Sequence, residues 1–400
     1  MGGYARILRA PGVAPILVAT LIGRMPIGIS GLAILLYVQD VSGSFAAAGV
    51  CAGALALGSA VGAPFQGRLV DWRGERALLP LAFVHAAGLI LVWLLGASGA
   101  VPAVLAVAAF AAGAAIPPVS SVLRSRWPVL LADEPDLLPT AYALDSVMIE
   151  IIFVAGPLLT TVIVAIVGPE YALALSAACV LGGTSMLLAS LHGRGRPQAP
   201  AAGTRRFGLG ALAAPGLRTL VVVSLPVGFA LGTMEVVLPA FSADEGSKEL
   251  AGLLLAVWSG ASAVSGLLYG ARPARAPLTD VHMRLAISLP LACAALLIAT
   301  DPVTMALMAI IAGLPIAPLI ASRNQLVERV APLGTSTEAF TWPLTALVAG
   351  VSLGAAVSGT LIEQHSWATA VLVAVAASAA GAALLFTRRA SLTTALPAPR

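Results

Sequence analysis

Five ionisable side chains lie inside stretches of sequence that are otherwise almost entirely apolar. They are Arg24, Asp145, Glu150, Glu235 and Glu338. A carboxylate in such surroundings can bind and release a proton or hold a cation, and an arginine beside it can neutralise its charge. In a membrane, each such charge costs about 2.5–3.5 kcal/mol on insertion scales, so it is expected to face a partner or a cavity.

The stretches around these residues predict membrane spans. The chain is 59% hydrophobic and 10% charged, whereas soluble domains carry about 25% charged residues. Apolar runs long enough to cross a bilayer core of about 30 Å recur along the whole chain. Helices are expected, because a helix satisfies its own backbone hydrogen bonds in lipid. The composition therefore predicts an all-α membrane protein with twelve spans, at 13–38, 44–66, 77–97, 101–123, 140–166, 170–191, 217–241, 250–270, 284–300, 302–322, 336–362 and 367–387.

The basic residues predict how the spans are oriented. Apart from Arg24 and Lys248, the 22 lysines and arginines fall at the termini or toward one side of the predicted spans. Six acidic residues in connecting segments fall on the opposite side: Asp40, Glu170, Asp244, Glu245, Asp301 and Glu363. The positive-inside bias then places both termini in the cytoplasm. Arginine and alanine are used heavily, which suggests a high-GC bacterium and hence a bacterial inner (cytoplasmic) membrane.

The two halves of the chain resemble each other at a spacing of about 200 residues. Met25-Pro-Ile-Gly28 matches Leu225-Pro-Val-Gly228, and Ala112-Gly-Ala-Ala-Ile-Pro-Pro118 matches Ala312-Gly-Leu-Pro-Ile-Ala-Pro318. We therefore expect a six-helix bundle over 1–191, a cytoplasmic linker over 192–215 and a second bundle over 216–400. Parallel halves of this kind are a transporter plan, with the substrate site between them.

One motif resembles the signature loop of the major facilitator superfamily. Gly67-Arg-Leu-Val-Asp71-Trp-Arg73-Gly74-Glu-Arg76 lies between predicted spans 2 and 3, with Trp72 and Glu75 in place of two basic residues. The resemblance implies two pseudo-symmetric six-helix bundles, in which the acidic residue of this loop contacts a helix end of the other bundle. It makes Asp71 the candidate for a cytoplasmic gate, supported by Gly67, Gly74, Arg73 and Arg76. A turn that only connects two spans is the alternative.

Helix geometry suggests partners for the charges in spans 1 and 5. Arg24 lies about 16 Å and Glu150 about 15 Å along their helices, so we expect the two to pair. Glu150 would then bind a proton or a cationic substrate in exchange for Arg24; a static ion pair is the alternative. Asp145 lies about 140° around the helix from Glu150, and we expect it to meet Arg124 or Arg126 in a structural contact.

Two further groups are candidates for the substrate cavity. Glu338, Thr341, Trp342 and Thr345 follow the spacing of one helix stripe in span 11, which suits either a substrate wall or a polar contact between helices. Glu235 is either a second protonation site or a residue that reaches the outer interface. The prolines Pro117, Pro118, Pro315 and Pro318 are expected to loosen spans 4 and 10.

A partial sequence signature indicates the direction of transport. Val154-Ala-Gly156-Pro157 resembles the Gly-Pro core of the antiporter motif of family drug exporters, although the glycines expected after it are missing. We therefore expect a proton-coupled antiporter that exports amphipathic or hydrophobic small molecules. Its partners would be the substrate, protons and the bilayer, and it would act as a monomer. Proton-coupled uptake of a polar nutrient and a transport-silent sensor or scaffold are the alternatives.

Enzymatic functions find little support. The chain's single lysine, Lys248, is not in a phosphate-binding loop. Gly350-Val-Ser352-Leu-Gly354 fits the nucleophile-elbow pattern of serine hydrolases but lies within an apolar helix. The histidines are isolated from one another in the sequence. We expect no catalytic residues, no cofactor and no metal site.

Overall fold

A computed structural model of the chain describes residues 2–193, 210–245, 250–271 and 276–393. Within these ranges it contains 12 helical segments long and apolar enough to cross a membrane, which confirms the prediction. Most of the proposed linker over 192–215, and the loop over 272–275, lie outside the described residues. The spans are Val13–Ser42, Ala47–Arg73, Glu75–Ala97, Pro102–Leu130, Pro135–Ile166, Pro169–Leu191, Pro215–Asp244, Leu250–Ala271, Leu278–Ile298, Pro302–Val330, Ser336–Gln364 and Trp367–Thr387.

Several helices continue beyond the apolar runs that identify them. Span 2 extends to Arg73 rather than residue 66, and ends where Gly74 adopts a left-handed φ of 78°. Glycine is favoured there because it has no Cβ to clash with the backbone. Most of the signature motif therefore lies on the last turns of a helix, not in a loop as expected. Span 9 begins at Leu278, six residues earlier than predicted.

Spans 4 and 10 are interrupted at corresponding places. Span 4 consists of helices Pro102–Ala114 and Val119–Leu130, and span 10 of helices Pro302–Gly313 and Ile316–Val330. Pro117, Pro118 and Pro315 lie in the two breaks. Proline cannot donate a helix hydrogen bond and clashes with the preceding turn. The predicted loosening is therefore confirmed at Pro117, Pro118 and Pro315, whereas Pro318 lies within the helix Ile316–Val330.

The spans form two six-helix bundles, spans 1–6 and spans 7–12. A short helix, Gly2–Arg9, precedes span 1. We call the end of the molecule at which the odd-numbered spans begin the basic face, and the other end the acidic face. The basic face carries Arg6, Arg9, Arg68, Arg73, Arg76, Arg218, Arg329, Arg388 and Arg389. The acidic face carries Asp40, Glu170, Asp244, Asp301 and Glu363.

Three spans that begin at the acidic face are capped by a residue of their own segment. Ser44 accepts a hydrogen bond from the Ala47 amide, and Ser366 accepts one from the Thr369 amide. Asp301 starts span 10 with a capping box. The amide of Thr304 holds the pKa of Asp301 below its usual range, because the hydrogen bond stabilises the ionised form.

Glycines let pairs of helices cross closely within each bundle. Gly28 of span 1 faces Gly156 of span 5, where an added Cβ on Gly156 would lie 2.6 Å from the Gly28 Cα. In the second bundle, a Cβ on Gly350 would overlap the Leu225 carbonyl oxygen. Gly350 and Gly354 both occupy this helix crossing, inside the continuous helix Ser336–Gln364. The nucleophile-elbow pattern around Ser352 is therefore part of a helix-packing motif.

Gly350→Ala is expected to destabilise the second bundle by about 1–3 kcal/mol, because the new methyl group must displace backbone atoms. Gly359→Ala in the same helix is the matched control, since nothing lies within 4 Å of its added Cβ. Thermal unfolding of the two purified variants in detergent measures the difference. Equal melting temperatures would contradict the close crossing.

Candidate functional site

The two bundles are joined at the basic face by Asp71. Its carboxylate accepts hydrogen bonds from the backbone amides of Thr337 at 2.9 Å and Glu338 at 2.8 Å. These are the first residues of span 11, which has no side-chain cap of its own. A carboxylate is favoured at a helix N-terminus by the free amides and by the helix dipole. Asp71 thus caps a helix of the opposite bundle.

Glu338 and its neighbours complete this contact. Arg68 reaches across from span 2, with Nη2 2.7 Å and Nε 3.1 Å from the two Glu338 carboxylate oxygens. Thr341 packs closely against Gly67. A Cβ added to Gly67 would lie 3.0 Å from the methyl carbon of Thr341. Gly67 therefore permits the close approach of spans 2 and 11.

The other members of the span 11 stripe face the same way. The indole nitrogen of Trp342 donates to Glu338 at 3.3 Å. The hydroxyl of Thr345 donates to the carbonyl of Ala60 in span 2 at 3.5 Å. In this conformation the stripe is a polar contact between helices, which is the second of the two interpretations offered for it.

The two arginines expected to support Asp71 differ from Arg68, which pairs with Glu338. Arg73 and Arg76 are exposed. Glu75, which replaces a basic residue of the family pattern, forms an ion pair with Arg126 of span 4. That departure from the pattern therefore ties the segment between spans 2 and 3 to its own bundle.

A second seam closes the basic face between spans 5 and 8. Thr140 donates a hydrogen bond to the carbonyl of Gly270. The N-terminal helix adds a contact, because the Tyr4 hydroxyl donates to the carbonyl of Leu267 at 2.8 Å. Arg6 of the same helix pairs with Glu134, between spans 4 and 5. Both bundles therefore meet over the basic face.

Asp71→Asn is expected to weaken the closed basic face by about 1–3 kcal/mol, because hydrogen bonds to a charged acceptor are lost. The closed and open populations can be compared by labelling a single cysteine at Ala143, which packs against Gly270, after the native cysteines are replaced. Labelling should become faster in Asp71→Asn.

Asp133→Asn is the control for that experiment, because Asp133 is an exposed acid near the same face. It should label at the parental rate. An unchanged rate in Asp71→Asn would show that the carboxylate does not hold the bundles together.

Arg24 pairs with Asp145, and not with Glu150 as expected. Nη2 of Arg24 lies 2.6 Å from one Asp145 oxygen, and Nε of Arg124 lies 2.6 Å from the other. Both arginines and Asp145 are at most 2% exposed. The expected contact of Asp145 with Arg124 is confirmed, whereas Arg126 pairs elsewhere.

The prediction failed because it compared depth along the helices and left out the direction of the side chains. Asp145 and Glu150 lie about 140° apart on span 5. Asp145 faces the interior of the first bundle, where spans 1 and 4 carry the two arginines. Glu150 faces the second bundle, and accepts a hydrogen bond from Ser262 of span 8 at 3.0 Å.

Asp145→Asn is expected to cost about 3–5 kcal/mol of stability, because it leaves two buried guanidinium groups without a counter-ion. Glu150→Gln is the matched comparison on the same helix, since it removes no cation partner and keeps an acceptor for Ser262. Thermal unfolding should therefore separate the two variants clearly. A larger loss in Glu150→Gln would support the pairing first expected from the sequence.

Glu150 and Glu235 form a second acidic group between the bundles. Glu150 belongs to span 5 and Glu235 to span 7, and the charge of Glu235 is near enough to act on Glu150. Glu150 is part-buried and Glu235 is exposed. Two of the predicted proton-binding residues, one from each bundle, therefore lie in the same part of the interface. Among the described residues, no arginine contacts Glu150 there.

A group of buried polar residues in span 10 was not predicted from the sequence. Arg323 and Asn324 follow the apolar run predicted for this span, yet Arg323 is 5% exposed and Asn324 is 1% exposed. His282 of span 9 packs beside them and its ring shares a hydrogen bond with Ser322 at 2.9 Å. The internal repeat could have found this group, because Pro318 precedes Asn324 by the spacing that separates Pro118 from Arg124.

Comparisons with known proteins agree with this architecture. The family model described as Major Facilitator Superfamily matches residues 16–279, well over half of the chain. The chain belongs to the Major Facilitator Superfamily and is a membrane transporter. No curated protein matches it in sequence.

Solved transporter structures share the fold at low sequence identity. The human organic anion transporter MFSD10 (TETRAN) has a TM-score of 0.69 and 14% identity, over 94% of this chain and 99% of its own. A bacterial homologue of the iron transporter ferroportin, in an outward-facing state, gives 0.72 and 13% over 94% and 99%. A single-residue variant of the E. coli fucose:proton symporter FucP gives 0.71 and 14% over 96% and 99%.

Proposed function

We propose that this transporter exports amphipathic or hydrophobic small molecules in exchange for protons, and that Glu150 and Glu235 carry the proton. The observation that supports the proposal most directly is the part-buried position of Glu150 between the bundles, where it accepts a hydrogen bond from Ser262 of the second bundle. Because both carboxylates are negative when ionised, they repel across the interface. A bound proton removes that repulsion.

Such a pair can couple proton binding to movement of the bundles. A ligand shifts a conformational equilibrium only through its different free energy of binding to the two states. The proton would meet this requirement here, because the separation of Glu150 and Glu235 changes when the bundles rock. The hydrogen bond from Ser262 to Glu150 spans the same interface and would break or form in the same movement.

The closed basic face supplies the other part of an alternating-access cycle. If the basic face is cytoplasmic, as the positive-inside bias favours, the contacts of Asp71 and Glu338 close the cytoplasmic side of the substrate path. Glu150 and Glu235 would then receive protons from outside. Opening of the basic face would release the proton and admit the substrate to be exported.

The direction of transport is inferred from the partial antiporter signature in span 5. Gly156 of the partial antiporter signature packs against Gly28 of span 1, so this part of the signature serves helix packing. The structural neighbours are described as carriers of organic anions, iron and fucose, so the shared fold does not select a cargo. Proton-coupled uptake of a polar nutrient is the second candidate, favoured by the buried polar group of Arg24, Asp145 and Arg124.

Reconstitution into liposomes with an imposed pH gradient tests the proposal. Wild-type protein should move a substrate compound, found by screening, against the proton flux, recorded with an internal pH-sensitive dye. Protons entering as the compound leaves would support antiport. Protons moving in the same direction as the compound would favour the uptake alternative.

Glu150→Gln should abolish proton-coupled movement while the protein still inserts and folds, because glutamine cannot bind a proton at this position. Glu363→Gln is the matched control, since Glu363 is an exposed acid at the acidic face and its loss should leave coupling intact. Proton flux of wild-type size in Glu150→Gln would remove Glu150 from the mechanism.

A further inference from the structure

Three buried arginines, two in the first bundle and one in the second, have a single carboxylate partner, Asp145, among the described residues. Arg24 and Arg124 share Asp145 in the first bundle. Arg323, in the second bundle, is acted on by two nearby charges: Arg124 repels it and Asp145 attracts it. The three guanidinium groups and one carboxylate leave two positive charges in excess. We call Arg24, Arg124, Arg323 and Asn324 the arginine cluster.

The hydrogen bonds of the arginine cluster are also incomplete, and what they lack are acceptors. Arg323 reaches the Ser224 hydroxyl at 3.4 Å and the Asn324 side-chain oxygen at 3.3 Å. Arg24 reaches the Ser120 carbonyl at 3.3 Å. Among the described residues, Nε and Nη1 of Arg24, Nη1 of Arg124, Nε of Arg323 and Nδ2 of Asn324 are buried without a partner.

Buried donors without acceptors are costly, and the cost is larger for charged groups. An excess of buried positive charge is likewise unfavourable unless an anion accompanies it. Both deficiencies are met by the same kind of ligand, an oxyanion, because it accepts several hydrogen bonds and carries negative charge. The planar guanidinium fork matches a carboxylate or phosphate in shape.

The arginine cluster lies where the fold would place a substrate. Arg124 and Arg323 both follow the proline breaks of spans 4 and 10, and interrupted helices in corresponding positions of two repeats mark transporter binding sites. A cavity of about 530 Å³ opens between the bundles at the basic face, with Arg6, Leu138, Tyr142 and Glu328 among its walls. Tyr142 separates this cavity from the cluster, and its hydroxyl donates to the Arg124 carbonyl at 3.3 Å.

We propose that the arginine cluster binds an anionic group, a carboxylate or a phosphate monoester, of the molecule that this transporter carries. The proposal rests on the transport function proposed above and names the chemical class of its substrate, an amphipathic organic anion. The anion reaches the cluster from the basic face when the bundles part. In the closed conformation, the space beside Arg323 is about 10 Å³, room for about one water molecule.

A purely structural role explains only part of this arrangement. Asp145 holds Arg24 and Arg124 in place within the first bundle, which accounts for two of the arginines. Arg323 has no carboxylate partner among the described residues, and its hydrogen bonds go to Ser224 and Asn324 of its own bundle. Packing alone would be served as well by a neutral side chain. The position of Arg323 is therefore explained by a negatively charged ligand.

Binding of small aromatic anions to the purified protein in detergent tests the proposal. Benzoate and phenyl phosphate are compared with benzamide, their neutral counterpart, at constant ionic strength in chloride. At a concentration well above the dissociation constant, at least one anion should raise the melting temperature by about 2 °C or more. Benzamide should not. No shift with either anion would overturn the proposal.

Variants of Arg323 locate the site. Arg323→Gln should weaken anion binding at least about tenfold, since a charged hydrogen bond is worth about 1.5–3 kcal/mol. Arg323→Lys keeps the charge without the fork and provides a second measurement if the glutamine variant folds poorly; it too should bind more weakly. Arg218→Gln, which removes an exposed arginine of span 7, should bind like the wild type. Unchanged affinity in both Arg323 variants would overturn the proposal.

These measurements use no proton gradient, so they separate this proposal from proton coupling. Glu150→Gln should retain the anion-dependent shift even though it loses coupled transport. Anion binding without any proton movement would contradict only the proposed coupling. Proton-coupled transport of cations or neutral compounds, with no anion binding, would contradict only the arginine cluster's assignment.

Discussion

The carboxylate of Asp145 neutralises two arginines at once, and much of the first bundle is arranged around it. Spans 1, 4 and 5 each contribute one member of the group, and each side chain is at most 2% exposed. Charges can be kept in such a place only with a counter-ion and hydrogen-bonding partners. The second helix of span 4, which begins after Pro118, positions Arg124 for this contact and presents the Ser120 carbonyl to Arg24.

The two acidic residues of span 5, Asp145 and Glu150, have different roles. Asp145 is committed to arginines of its own bundle, so its ionised form is held firmly in the interior. Glu150, on another side of the same helix, has no such partner and faces Ser262 and Glu235 of the second bundle. Asp145 therefore stabilises the first bundle, whereas the contacts of Glu150 change when the two bundles move relative to each other.

The contacts between the bundles are polar and close together at one face. Asp71 caps a helix of the other bundle, Arg68 pairs with Glu338, and glycines at 67 and 270 allow the backbones to approach. Apolar packing accompanies these polar contacts, since the rings of Tyr142 of span 5 and Phe340 of span 11 lie 6.1 Å apart across the interface. A gate of an alternating-access transporter must break both kinds of contact when the bundles move.

The sequence alone determined the number of spans, the helical class, the duplicated halves and the family, because these depend on composition, apolar length and a local motif. It also identified Asp71 and the proline breaks, since a helix cap and a missing amide act within a few residues. It did not identify the partner of Arg24 or the burial of Arg323. Those depend on the rotation of each helix about its axis and on which residues of distant spans face one another. Only the packed tertiary structure decides these directions. Apolar residues occur on every face of a membrane helix, so their pattern in the sequence does not mark the face that packs inward.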